Sequence, residues 1–391
     1  MYFEEGVELL LEGTHYFHKN YKKIYGQLAL RLDNDTYLTT GGNKLLCELE
    51  ESDITACDIK TGDLGKLFME RPNINVFIFG CTQDSAAASE DLDYLPVALD
   101  DMAHLAGSKV KIVADASPDT LLSALSDTDV CLIQGSGFVV VSDTMWQAAA
   151  SAQVIEKTCE AHVQGKVIGG TTPIDTEVAE KLREEFLSSY LQANENSITE
   201  YIEFDEEAHV LRNALKKTCD SLVQEELVFG SWGNVSARLD DETFMITPTA
   251  INTLDMKIED LTRVRIDDLE CLDQMKPSGS SYLHAEMYKN IPECNAIIHT
   301  HSNACSIFAA CSAGFAINDS NLTQLIGDIK LIPFAPESKK TMADKTVSVM
   351  KDTHAAIMAN QGAIFYGPSL EVVLEVAKSV EILARKLLNL E

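Results

Sequence analysis

His299 and His301 stand two apart in the stretch Asn295-Ala-Ile-Ile-His-Thr-His-Ser302. Side chains alternate between the faces of extended backbone, so both imidazoles point to the same side. Ala296, Ile297 and Ile298 form the short apolar run of a covered strand, which places the pair at the strand's mouth. Two neutral imidazoles converging from a strand end are a common beginning of a divalent metal site; a pair of satisfied polar residues in a loop is the other reading. The surrounding elements have to decide between the two.

The chain of 391 residues has room for about two or three domains, each with its own core. With 46% hydrophobic and 24% charged residues its composition is that of a globular protein. A formal net charge of −30 argues against nucleic acid and against anionic lipid as general partners. A small phosphorylated substrate is compatible with that charge, because backbone N–H groups and a metal can make a pocket locally positive. The opening Met1-Tyr-Phe-Glu-Glu-Gly6 lacks the basic start of a signal peptide, and no stretch approaches the roughly 18 apolar residues of a membrane span. The expectation is a soluble, cytoplasmic protein with no membrane partner. Its ten cysteines, Cys47 to Cys311, include no Cys-x-x-Cys pair and read as reduced, mostly buried small hydrophobes.

The elements that must position the imidazoles follow from periodicity. Residues 1 to 25 read as helix, and Gly26–Asp33 and Thr36–Thr40, separated by Asn34-Asp35, read as a hairpin. A helix of about ten residues around Leu67 leads to the apolar strand Val76–Phe79. Further strands are expected near Val110–Ala114, at Val130–Ile133 and at Phe138–Val141, with helices from Thr144 and from Pro173 to about Leu191. The acidic stretch Asn194–Glu207 has no apolar periodicity and reads as a linker.

The second half repeats the first. Gly233–Asp240 falls on Gly26–Asp33 and Thr243–Thr247 on Thr36–Thr40, both with an offset of 207 (240 − 33). Ile291–Ile298 falls on Arg71–Ile78 with an offset of 220 (291 − 71), and Asp352–Gly362 on Asp127–Gly137 with an offset of 225 (352 − 127). An offset that drifts only between elements is what loop insertions produce. The chain is therefore expected to carry one α/β fold twice in tandem: three layers, a central sheet of mixed and antiparallel strands flanked by helices, at 1–193 and 208–391, joined by a linker at 194–207. The first copy has Phe79 and Cys81 where the second has His299 and His301, so no metal site is expected there.

Gly233-Asn-Val-Ser-Ala-Arg238, Ile246-Thr-Pro-Thr249, Lys276-Pro-Ser278, His299-Thr-His-Ser302 and Asn360-Gln-Gly362 together resemble the class II aldolase/adducin family. That family includes fuculose-phosphate and rhamnulose-phosphate aldolases, ribulose-phosphate 4-epimerases and the non-enzymatic adducin head domain. The resemblance covers 205–391 densely and 1–192 faintly through the repeat. It implies a divalent metal, zinc or similar, held by His299 and His301, with Gln361 at the third ligand position where the family has histidine. It further implies a phosphate or other anion pocket lined by Gly233, Asn234, Thr249 and Ser278. Ser280 falls at the position of the family's acid/base carboxylate, Ala250 where a glycine is usual, and Gly279 where a second serine is usual.

A neutral amide oxygen is a poorer zinc partner than imidazole, and a serine hydroxyl is no general base near neutral pH. His284, four residues beyond Ser280, is either a supporting residue of the site or a contact between helix and sheet; Glu286 and His354 read as surface. The resemblance also implies a homo-oligomer, a dimer of tandem chains reproducing a four-domain ring. An acid or tyrosine could then come from the first copy, where Asp91, Asp93 and Tyr94 are the candidates. Three readings stay open: a metal-dependent lyase on a small sugar phosphate or hydroxy-keto substrate, a catalytically silent adducin-like binding module, and a metal-dependent decarboxylase or epimerase variant.

Overall fold

The computed structural model describes residues 2–17, 23–90, 92–190, 193, 205–317, 323 and 326–390. They form two compact units. The first comprises Met1–Val97, Asp101–Val163 and Asp175–Arg183; the second comprises Ala98–Asp100, Gln164–Ile174 and Glu184–Glu391. The linker expected at 194–207 lies outside the described residues up to 204, and Glu206 already opens the helix Glu206–Gln224.

In the first unit the strands are β1 Tyr25–Arg31, β2 Thr36–Thr40, β3 Lys44–Leu45, β4 Ile54–Asp58, β5 Val76–Cys81, β6 Tyr94–Pro96, β7 Lys109–Val113, β8 Val130–Ile133 and β9 Gly137–Ser142. Their order is β4-β2-β1-β5-β9-β8-β7-β6, with β3 also on β1, and every pair is antiparallel except β7 with β8. The second unit has β10 Asn234–Arg238, β11 Thr243–Ile246, β12 Thr262–Arg265, β13 Ala296–Thr300, β14 Lys330–Ile332, β15 Ala355–Met358 and β16 Gly362–Gly367. These run β12-β11-β10-β13-β16-β15-β14, again antiparallel except for β14 with β15. The seven strands of the second sheet repeat the order β4-β2-β1-β5-β9-β8-β7 of the first, which adds β3 and β6.

Side-chain detail repeats too. Arg31 lies 5.1 Å over the ring of Phe68, which meets Tyr37 at 5.3 Å and 47°. Arg238 lies 4.9 Å over Tyr288, which meets Phe244 at 5.3 Å and 47°. Each guanidinium also donates to a main-chain carbonyl of the helix beneath it, Phe68 in one unit and Tyr288 in the other.

In the second unit β13 is buried along its whole length, because helices cover both faces. Ile297, Ile364, Phe244 and Val264 pack into one cluster with the helices Ser281–Asn290 and Lys339–Met350. The helices Asn303–Ala310 and Leu370–Leu387 pack on β13 and β16 from the other side. In the first unit the counterparts of the first pair are shorter, Gly65–Glu70 and Pro118–Ala124. A cleft of about 1170 Å³ opens between them over the sheet. All ten cysteines are free thiols, and burial pushes Cys131 and Cys219 up to about 12. No helix among the described residues is long and apolar enough to cross a membrane.

Candidate metal centre

His299 is the penultimate residue of β13, opposite Asn234 of β10, and His301 follows just past the strand's last residue, Thr300. Both rings are buried, with centroids 4.8 Å apart and planes tilted by 44°. Two glycines allow the close approach of backbone that this needs. Gly233 has φ +94°, and a Cβ there would sit 2.9 Å from the His299 carbonyl oxygen. Gly362 has φ +131°, and a Cβ there would sit 2.2 Å from the Thr300 carbonyl oxygen. Beyond the pair, Glu381 fixes the chain. Its carboxylate accepts from Ser302 Oγ at 2.7 Å and from the Ala304 and Cys305 N–H groups at 2.8 and 3.0 Å, capping the helix Asn303–Ala310.

Asn234 links the imidazoles to the anion-pocket residues. Its Nδ2 is 3.4 Å from His299 Nδ1 and donates to Ser280 Oγ at 3.2 Å. Ser280 is the N-cap residue of the helix Ser281–Asn290, and its N–H donates to Ser278 Oγ at 3.3 Å. The Ser278 loop is zipped to the Thr-Pro-Thr turn: Ser278 N donates to Thr247 O and Thr249 N to Lys276 O, both at 3.0 Å, and Thr249 Oγ1 donates to Pro277 O at 2.8 Å. Contacts therefore run without a break from His299 through Asn234, Ser280 and Ser278 to Thr249, with Gly233 at the head of β10.

His284 lies in the core, between helix and sheet. Its Nδ1 is 2.7 Å from Ser236 Oγ, which is also 2.7 Å from Tyr288 Oη, and full burial lowers its pKa from 6.5 to about 3. Glu286 pairs with Lys289 at 3.1 Å, and His354 stacks on Tyr366 at 4.6 Å.

Gln361 reaches a residue that sequence reasoning missed. Its Nε2 donates to Asp100 Oδ2 at 3.0 Å, while its Oε1 is buried with no hydrogen-bond partner among the described residues. The Asp100 carboxylate is buried, with Oδ1 4.0 Å from His301 Nδ1. Its main chain is clamped by Asn360, whose carbonyl accepts from Asp100 N at 2.8 Å and whose Nδ2 donates to Ala98 O at 2.9 Å and Thr172 O at 3.0 Å. Asn360 does this from φ +63°, a left-handed conformation that asparagine tolerates. The one signal in the sequence was the acid pair Asp100-Asp101 closing the apolar run Leu95-Pro-Val-Ala-Leu99.

Of the acids and tyrosine expected from the first copy, Asp91 lies outside the described residues. Asp93 and Tyr94 line a groove of the first unit, and Tyr94 is 49% exposed there beneath Lys109. A different tyrosine belongs to the second unit: Tyr190 donates to Ser231 O at 3.2 Å, just ahead of Gly233, and burial with the charge of Asp100 holds its pKa above the ordinary value.

Imidazole nitrogens with a carboxylate and a carboxamide oxygen beside them are a donor set for a borderline divalent ion. Among the described residues the first unit offers nothing comparable: its cleft is lined by Gln27, Phe79, Ser136 and Leu64, the counterparts of Asn234, His299, Gln361 and His284.

The class II aldolase and adducin N-terminal domain family matches residues 15–163 and again 213–388. A 3-oxo-tetronate 4-phosphate decarboxylase of Escherichia coli strain K12 is 29% identical over 179 residues, 44% of this chain and 81% of that protein. An L-fuculose phosphate aldolase of Haemophilus influenzae is 30% identical over 182 residues, 44% of this chain and 80% of that protein. Among solved structures, the L-fuculose-1-phosphate aldolase of Thermus thermophilus superposes with a TM-score of 0.42 at 18% identity, over 46% of this chain and 95% of that one. With its family match in both halves and one sheet topology in both units, the chain belongs to the class II aldolase and adducin N-terminal domain family, as two tandem copies of the fold.

Proposed function

We propose that this protein is a divalent-metal-dependent carbon–carbon lyase acting on a small phosphorylated hydroxy-keto substrate. The observation that carries this is the unbroken run of contacts from the buried pair His299 and His301 through Asn234 to Ser280 and Ser278. A bound zinc or similar ion held by the imidazoles would polarise the keto and hydroxyl oxygens of the substrate. Ser278, Thr249 and the Gly233-Asn234 loop would receive the phosphate, helped by the N–H groups and the positive dipole end of the helix Ser281–Asn290.

Among the lyase reactions, Ser280 favours decarboxylation. Retro-aldol cleavage begins by removing a proton from a hydroxyl, and at neutral pH a serine hydroxyl is no base for it. A 3-oxo acid arrives already ionised. Its bond between carboxylate carbon and α-carbon breaks, carbon dioxide leaves, and the electron pair stays on the α-carbon and keto oxygen as an enolate that takes a proton at carbon. Tyr190, whose hydroxyl donates to Ser231 O at 3.2 Å just ahead of Gly233, is the acid we assign to that last step. The names of the relatives, a decarboxylase and an aldolase, span these two reactions.

Metal analysis after growth with zinc is expected to find about one ion per chain, and none in His299→Ala/His301→Ala. The zinc-loaded protein is expected to release carbon dioxide from 3-oxo-tetronate 4-phosphate faster than it cleaves fuculose 1-phosphate. Faster cleavage of the ketose would reverse the choice of reaction. A metal-free protein inert on both substrates would instead be an adducin-like binding module.

A further inference from the structure

We propose that Asp100 is a ligand of the metal centre, supplying from the N-terminal half of the sequence the third protein donor that the family's histidine would give, and that Gln361 is a positioning residue that aims it. This rests on the reading that a divalent ion sits at His299 and His301. Four observations support it.

The first is distance. Asp100 Oδ1 and His301 Nδ1 are 4.0 Å apart, too far for a hydrogen bond. Two ligands bound about 2.1 Å from a tetrahedral ion stand roughly 3.4 Å apart, so a shift of a few tenths of an ångström on each side closes the gap.

The second is orientation. Gln361 Nε2 holds the other carboxylate oxygen, Oδ2, at 3.0 Å, and so turns Oδ1 toward the imidazole. This is the relation that supporting residues bear to metal-bound carboxylates.

The third is rigidity. The Asn360 carbonyl and side chain fix the backbone of Ala98–Asp100, so Asp100 arrives on a segment integral to the second unit.

The fourth is charge. A neutral Gln361 oxygen is a weak donor, whereas a carboxylate beside two imidazoles balances half of a divalent ion's charge and suits zinc, manganese or ferrous iron. The neighbouring carboxylate of Asp101 is already committed to the buried ammonium of Lys157.

The test is zinc affinity of the full chain, by competition with a chromophoric chelator. Asp100→Asn is expected to weaken zinc at least about 100-fold and Gln361→Ala by about 10- to 100-fold, with Asp100 the larger loss. A second variant carries the test should Asp100→Asn fold poorly. In cobalt-loaded Asp100→Cys a thiolate-to-cobalt charge-transfer band is expected that the parent lacks, and its absence overturns the assignment. So does an Asp100→Asn affinity within about threefold of the parent's, or a larger loss in Gln361→Ala. With His299→Ala/His301→Ala abolishing binding, those outcomes remove Asp100 alone; a parent chain that binds no zinc removes the metal reading itself.

Discussion

Ala250 ends the Thr-Pro-Thr turn at φ +59°, a left-handed conformation that costs a residue with a Cβ about 1 to 2 kcal/mol. Glycine, which the family resemblance implies here, has no such cost but loses more entropy on folding, by about 0.5 to 1 kcal/mol. Ala250→Gly is therefore expected to raise stability by about 0.5 kcal/mol in urea unfolding, without loss of metal. A drop in the urea midpoint would show that the Ala250 methyl makes packing worth more than the strain. At this scale the sequence is readable wherever the informative spacing is short. His299 and His301 are two apart at the end of one strand, so the sequence spacing alone points to their convergence. Asp100 lies 201 residues before His301 (301 − 100), and only tertiary folding brings the two together. The acid pair Asp100-Asp101 after its apolar run carries no register toward His301, so the sequence points instead to Asp91, Asp93 and Tyr94.

The helix Ser281–Asn290 is joined to β10 by Ser236, His284 and Tyr288, whereas the first copy has Ala29, Leu64 and Phe68 at these places. The apolar set shows that the fold itself has no need of the polar one. Its presence has a consequence for acid stability. Folded His284 stays neutral down to about pH 3, but in the unfolded chain it takes a proton near 6.5. The unfolded state thus binds more protons between those values, and stability falls as pH drops, by about 1.4 kcal/mol per pH unit from this group. Ser236→Ala with His284→Leu, the pairing the first copy already uses, is expected to flatten the loss between pH 6 and 4 by about one proton's worth in urea titrations. An unchanged slope would place the acid sensitivity elsewhere. Among elements, strands were readable where helices cover both sheet faces and leave continuous apolar runs such as Ala296–Ile298. Helix lengths were not. The helix of about ten residues expected around Leu67 is only Gly65–Glu70, and a Cβ at Gly65 would sit 1.7 Å from the Ile59 carbonyl oxygen. The loop before it packs too closely for the helix to extend backward, a constraint that periodicity does not register.

Duplication could be read from offsets alone, because a shared strand order preserves the spacing within each element even where loops grow. The make-up of the compact units could not, since a linker between repeats suggests a cut that leaves each fold whole. The second unit instead includes Ala98–Asp100 and Gln164–Ile174, tied in by the Asn360 amide, which is 5% exposed and donates to Ala98 O and Thr172 O. A fragment of residues 205–391 would contain every motif of the family resemblance yet neither acceptor, leaving the Asn360 donors to lose both bonds. A buried polar group deprived of its partners costs about 1 to 3 kcal/mol. The comparison that isolates this term is Asn360→Ala made in both contexts. In the full chain it is expected to destabilise the second unit by that amount, with local loosening visible in hydrogen exchange at Asp100. In the fragment, where the acceptors are already gone, the same substitution should cost less by that amount, the left-handed strain of alanine at φ +63° being common to both contexts. Equal costs in both would mean that Asn360 acts only within 205–391 and that Asp100 is held by something other than this clamp.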